Sequence, residues 1–241
     1  MERLDKFISN NSPLSRSEAR KAIQSGKVTV NGEKEGRADR QMTGDEEVRL
    51  EGCLIGKKGF TYLVMNKPTG VICSTEDPRE KTVIDILPEE YRHRGLSPAG
   101  RLDKDTTGLV LLTDDGDLIH SIISPKKHST KQYEVTLARP FEKDYIRAFE
   151  EGVTLSDGTR CRSAALRQTG DRTCSLIITE GRYHQVKRMF AAVGNHVEAL
   201  HRSAIGSYFL QGIEPGSFVV LLHNETAKFL DKSERFFGSG N

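Results

Sequence analysis

The sequence predicts an α+β fold with a mixed, mainly antiparallel sheet as its spine and flanking helices, preceded by a small separate module. Three observations predict it. Strand-like runs at residues 110–113, 132–137 and 174–179 interleave with helix-like runs at 117–123 and 141–151. The first fifty residues carry helix and strand signals of their own. Between the two regions lies a flexible stretch containing Gly52, Gly56, Lys57, Lys58 and Gly59. The expected division is a module over 1–50, a linker over 51–59, a main domain over 60–235 and a disordered tail over 236–241.

In the module, Leu4, Phe7 and Ile8 recur at helical spacing, and a turn follows through Asn10, Asn11, Ser12 and Pro13. Ser15 and Glu18 form a capping box: the hydroxyl accepts from the first turn, and the carboxylate reaches back. The helix they open carries Ala19, Ala22 and Ile23 on one face and stops at Gly26. Val28, Thr29 and Val30 then read as a strand running into an Asn31-Gly32 turn. Residues 1–32 hold six Lys or Arg against three Asp or Glu. Arg16 and Arg20 sit four apart on the second helix, with Lys21 and Lys27 close behind, so they cluster cations on one scaffold. Taken alone, such charges read first as a solvated helix face.

The main domain starts with a strand at residues 60–65, closed by Pro68 and Gly70. Farther on, Val186, Met189, Phe190 and Val193 fall at i, i+3, i+4 and i+7, the buried stripe of a helix ending at Gly194. The whole chain of 241 residues is 36% hydrophobic and 29% charged, with a formal net charge of +2. That suffices for a real core, and a polyanionic partner has to be held by local patches. The charged start does not resemble a signal peptide, and no apolar run approaches the roughly 18 residues of a membrane span. Cys53, Cys73, Cys161 and Cys174 lack metal-ligand or dense disulfide spacing, which points to buried thiols in a cytosolic protein.

Three places carry chemistry-bearing residues. Residues 100–109 set Asp103 between Gly100 and Gly108 just ahead of an apolar run, where a cleft-mouth carboxylate is expected. Arg101 lies two positions earlier and could hold that carboxylate ionised or reach a phosphate. Tyr133 opens a strand beside Lys126, Lys127, His128 and Lys131; it is either core or a surface for a splayed-out base. At 180–190, Gly181 precedes the cations of a helix start, and His184 and Arg188 share one side with Lys187 adjacent.

These runs resemble the pseudouridine synthases, in the branch typified by the bacterial small-subunit ribosomal RNA enzymes (the RsuA family). Residues 100–109 are similar to that family's catalytic signature, and 180–190 to its third motif. Gly194-Asn195-His196-Val197, Leu200-His201-Arg202, Asn66-Lys67-Pro68 and Cys73-Ser74-Thr75 fit the same branch. Residues 2–48 resemble the S4-like RNA-binding module found in a ribosomal protein and several RNA enzymes, so the likeness covers nearly the whole chain. It implies isomerisation of a uridine within 16S ribosomal RNA, the one conventionally numbered 516, by a cytoplasmic monomer without cofactor or metal. Asp103 would be the nucleophile, attacking sugar C1′ or base C6; Tyr133 would stack on the base; Lys187 would pair with the aspartate. Substrate contacts would come from Arg101, Leu102, Thr106, Thr107, Arg182, His184, Gln185 and Arg188, and from Leu221 packing near the base. The chain departs from the pattern at Val219, where the branch usually has Arg. Ribosomal RNA would be held by Arg16, Arg20, Lys21, Lys27, Lys126, Lys127 and Lys131.

Two other readings stand beside this one. Asp103, Asp105, Thr107, Gly108 and Asp114 follow an EF-hand-like spacing, opposed by a strand-like run where a flanking helix should be. A non-catalytic RNA-binding or ribosome-assembly protein would use the same folds. For Asp105 and residues 114–117, turn chemistry and helix capping are expected.

Overall fold

A computed structural model describes residues 2–12, 14–42, 46–55, 60–124 and 129–231, apart from the side chains of Cys53 and Leu54. The chain forms two compact units, Met1–Gly59 and Phe60–Asn241. The expected linker residues 56–59, the tail, and the candidates Lys126 and Lys127 lie outside the described residues.

In the first unit, β1 (Glu2–Arg3) leads into α1 (Leu4–Asn11) and α2 (Arg16–Gln24). The capping box forms as expected, with Glu18 N donating to Ser15 Oγ and Ser15 N donating to Glu18 Oε2. Next come β2 (Val28–Val30), β3 (Glu33–Lys34), β4 (Gln41–Met42), β5 (Val48–Leu50) and β6 (Cys53–Ile55). Strands β3, β2, β5 and β6 make one antiparallel sheet, and β1 pairs β4. The apolar faces of both helices close over Val28, Val30 and Val48. The expectation of a tether from residue 51 needs correcting: Glu51 and Gly52 adopt φ of 51° and 81° and turn Cys53–Ile55 back onto β5. Two left-handed residues in succession are the geometry of a tight hairpin.

Asp5, on α1, is fully buried and accepts hydrogen bonds from Arg3 Nε, Arg16 Nε and Arg20 Nε at 3.1, 3.3 and 2.7 Å. Burial alone would push its carboxyl up; the guanidiniums of Arg20, Arg3 and Arg16 outweigh that and hold it well below the usual carboxylate range. Arg16 and Arg20 are therefore organised by an internal anion, while about half of each side chain stays in solvent.

The second unit is built on β7 (Tyr62–Lys67), β8 (Ser97–Pro98), β9 (Thr107–Thr113), β10 (Lys131–Leu137), β11 (Ala165–Gln168), β12 (Thr173–Ile178), β13 (Val197–Ile205), β14 (Tyr208–Phe209) and β15 (Phe218–Val220). Its helices are α3 (Glu89–Arg92), α4 (Gly116–Ile123), α5 (Asp144–Glu151) and α6 (Gln185–Ala192), with a 3₁₀ segment at His223–Leu230. The main path of the sheet runs β11-β12-β10-β13-β9-β7-β15. Its strand pairs are antiparallel except β9 with β13, so the expected mixed, mainly antiparallel sheet is present.

Burial on both faces explains the continuous apolar runs Leu63–Met65 of β7 and Leu109–Leu112 of β9. Leu63, Met65, Val110 and Leu112 point to the face covered by α5, α6 and the segment through Val83 and Leu96. Tyr62, Val64, Leu109 and Leu111 point to the face covered by α4 and Phe229. Each such side chain contributes about 1.5–3 kcal/mol by leaving water. Asp115 caps α4 by accepting from Leu118 N at 3.0 Å, as its position before a helix suggests. Strand β13 has no counterpart among the sequence expectations, yet it sits at the centre of the sheet.

Candidate active site

Asp103 lies on the loop between β8 and β9, and the chain is fastened on both sides of it. Before it, Leu102 is buried and its N–H donates to Cys73 Sγ at 3.3 Å. After it, Lys104 O accepts from Gly70 N at 2.9 Å and Lys67 Nζ at 3.3 Å. Thr106 N donates to Asp103 O at 3.1 Å and closes the turn. A loop tied at its neighbours presents the intervening side chain in one direction, and Asp103 keeps 26% of its side chain exposed.

Helix α6 supplies the partners. Lys187 Nζ is 3.2 Å from Asp103 Oδ2 and donates to both oxygens of Asp105 at 2.6 and 2.8 Å. Partial burial alone would lower the lysine, but Asp105 and Asp103 outweigh it and raise its pKa. Asp105 is held below its ordinary value, first by the hydrogen bond from Lys187. Its role is thus ion pairing rather than turn chemistry alone. His184 Nε2 lies 3.4 Å from Asp103 Oδ1. The i, i+3 pair His184 and Lys187 therefore shares the carboxylate, whereas Arg188 turns to Asp157.

The turn that starts α6 is braced from within. Gln185 Nε2 donates to Glu180 Oε1 at 2.6 Å, Arg182 N donates to Gln185 Oε1 at 2.9 Å, and Arg182 Nε donates to Glu180 Oε2 at 3.2 Å. This network holds His184 at φ 48°, a left-handed conformation costly for a residue with a side chain. Gln185 is buried in that brace, which corrects its expected substrate contact.

Several other candidates move. Leu102 anchors the loop from the core. Thr106 is buried and its Oγ1 has no partner, so it stays close to the site as an unused polar atom. Thr107 Oγ1 pairs with His201 Nδ1 at 2.9 Å and lines a shallow hollow of about 170 Å³ with Glu134 and Thr173, whose lining does not include Asp103. Leu221, one residue past β15, donates from its N–H to Tyr62 O at 2.9 Å and packs with Tyr62, Val64, Leu109 and Phe229, in a cluster separate from the one holding Tyr133. Lys131 is buried and donates to Ile122 O and Ser129 O; burial, and next the charge of Arg202, push it down to about 8. It closes the end of α4 and is no surface cation. Lys27 pairs with Glu51 at 2.6 Å, while Lys21 and Arg101 are exposed.

Tyr133 is buried in the cluster that Leu102 also joins. It pairs with Arg202 of β13, and Arg202 pairs on its other side with Gly108 of β9. Two strand spacings, about 10 Å, therefore separate the tyrosine backbone from the end of the Asp103 loop. Sequence reasoning missed two neighbours. Lys67 is fully buried, with burial pushing its pKa down while Cys73, Asp105 and Asp103 oppose the shift. Arg202 is 2% exposed, donates from Nε to Leu109 O at 2.8 Å and leaves Nη2 unpaired. A charge at the end of an apolar strand run was the available signal for Lys67.

One half-buried carboxylate flanked by an ammonium and an imidazole suits nucleophilic attack on a carbon centre. Glycoside hydrolysis asks for two carboxylates about the bond, and here Asp105 is already bound by Lys187. The EF-hand-like pattern does not assemble: Asp114 accepts from Thr61 N, and among the described residues no group of three or more His, Cys, Asp or Glu side chains could hold a metal.

Comparison with known proteins fits this arrangement. Residues 61–192 match the family model described as RNA pseudouridylate synthase, and residues 2–48 match the S4 domain. The chain is 44% identical to ribosomal small subunit pseudouridine synthase A of Haemophilus influenzae, over 95% of this chain and 99% of the relative. It is 43% identical to the protein of that name from Escherichia coli K12, over 93% and 98%. A crystal structure described as a pseudouridylate synthase superposes with TM-score 0.68 at 43% identity, covering 95% of this chain and all of the other.

Proposed function

The chain belongs to the RNA pseudouridylate synthase family, and on that premise we propose that its substrate is small-subunit ribosomal RNA, modified at the uridine conventionally numbered 516, with Asp103 as nucleophile. The enzyme is an isomerase that carries an S4 domain. The observation that carries the assignment of Asp103 is its carboxylate, fastened by its loop and set 3.2 Å from Lys187.

The reaction breaks the bond from C1′ to N1 and forms one from C1′ to C5; C5 loses a proton and N1 ends with one. Nothing is oxidised, so no redox partner is needed. Asp103 adds to C1′ or C6, Lys187 offsets the charge it carries before attack, and His184 stands 3.4 Å from the same carboxylate. Tyr133 offers an aromatic surface to the base, whose exit from its stack costs a few kcal/mol that phosphate contacts and stacking offset. Arg101, Arg182 and the N-terminal arginines contact the RNA backbone. The protein works as a cytoplasmic monomer in this reading.

In a strain lacking the gene, small-subunit RNA should lose a single pseudouridine. Wild-type protein should restore it, and Asp103→Asn should not. A pseudouridine pattern unchanged by deletion would overturn the substrate assignment.

The buried Asp5 makes the RNA-binding test two-sided. Replacing Arg16 and Arg20 by Ala should weaken RNA binding and lower the magnitude of the log K against log salt slope by about 1.4, roughly 0.7 for each lost phosphate contact on single-stranded RNA. The same change leaves Asp5 with Arg3 alone. Because the folded pKa of Asp5 is depressed, its stabilisation is full above the unfolded value of about 4 and is lost as pH falls below it. Wild-type protein should thus lose stability in acid over that window, and the double variant should lose less. A salt slope identical to wild type would remove the two arginines from the RNA interface.

A further inference from the structure

The most exposed of the large apolar side chains described is Tyr183, at 74%, and it stands immediately before His184. Its ring stacks on the His184 imidazole with centroids 3.8 Å apart and planes 18° from parallel. The imidazole in turn lies 3.4 Å from the Asp103 carboxylate. One face of the tyrosine is covered by the histidine, and its exposure leaves the other open to solvent. That separation is close to the rise between successive bases in a nucleic-acid stack, about 3.4 Å.

The backbone maintains this arrangement at a cost. His184 sits at φ 48°, and the brace of Glu180, Gln185 and Arg182 fixes the turn. Backbone strain held by a satisfied hydrogen-bond network beside a reactive carboxylate points to a positioning task.

We propose that Tyr183 is a further substrate-binding residue: its open face receives an unpaired RNA base adjacent to the target uridine. When the uridine leaves its stack, its neighbour loses a stacking partner, and the tyrosine ring supplies one at a similar spacing. The inference rests on the reading of this site as one that takes an extruded uridine. Arg182, half exposed beside the stack, is placed for the phosphate of that neighbour.

The test uses the full chain and RNA carrying uridine labelled with tritium at C5. Tyr183→Ala should raise KM about tenfold, with the loss falling on KM rather than kcat, and Tyr183→Phe should restore most of the affinity. RNAs with an abasic nucleotide on either side of the target complete the cycle: at the side that Tyr183 serves, wild type and Tyr183→Ala should have equal KM. A KM for Tyr183→Ala within twofold of wild type would overturn the proposal, as would a penalty unchanged on both abasic RNAs. Absence of tritium release by the wild-type protein would instead strike the underlying functional reading, so the two failures are distinguishable.

Discussion

Asp103→Asn is expected to abolish tritium release from C5-labelled uridine in RNA, by at least about 10³-fold, while RNA affinity and melting temperature stay near wild type. The amide is nearly isosteric but cannot act as an anionic nucleophile. The loop that carries it is fastened through Leu102 N and Lys104 O, neither of which involves the side chain. Folding of the variant is therefore expected, and the loss is chemical. The substitution leaves Lys187 with Asp105, at 2.6 Å, so no unpaired ammonium is created. Tritium release by Asp103→Asn equal to wild type would remove Asp103 as nucleophile.

Gly108→Ala should be among the most damaging single-methyl additions in the second unit. Gly108 has φ +108°, and a Cβ there would stand 2.3 Å from Arg202 O and 2.6 Å from Arg202 N. The obstructing atoms are backbone, locked into the β9–β13 pair, and Arg202 Nε is bound to Leu109 O. Left-handed strain plus overpacking should cost about 3 kcal/mol or more, a fall of roughly 6–12 °C in Tm. Gly212→Ala serves as the control: its φ is +65° but nothing lies within 4 Å of the added carbon, so about 1 kcal/mol is expected. Equal melting temperatures for the two variants would show that the close approach does not constrain the sheet. Activity should fall with the Gly108 change as well, because this pairing sets where the Asp103 loop ends.

Local signals explain which parts of this molecule could be read from its residues. The capping box at Ser15 and Glu18, the stripe of Val186, Met189 and Phe190, and the alternation of β10 each depend on neighbours within a turn or two. Asp103, Lys187 and His184 were legible through motif likeness, and they lie together. Partner choice was not legible. Arg16 and Arg20 looked like free cations because Asp5 is eleven and fifteen residues away and inside the unit. Lys131 looked like a surface cation because nothing local announces that the end of α4, at Ile122 O, folds over it. Leu221 needed the β15–β7 register and its continuation one residue beyond, where its N–H meets Tyr62 O, and one residue of register decides the face. Strand β13 escaped because its run, Val-Glu-Ala-Leu-His-Arg-Ser-Ala-Ile, mixes charge into positions that only tertiary pairing buries.

The parallel pairing of Thr107 with His201 joins positions 94 residues apart in the chain. At translation rates of about 5–20 residues per second, roughly 5 to 20 s pass between synthesis of the first partner and the second. For most of that interval the aspartate-bearing segment has neither its central strand nor the helix that delivers Lys187. A nascent chain is thus expected to be catalytically silent until residues 185–205 have been made. Since distant pairings also slow folding, refolding of the second unit should lag behind that of the helix-led first unit.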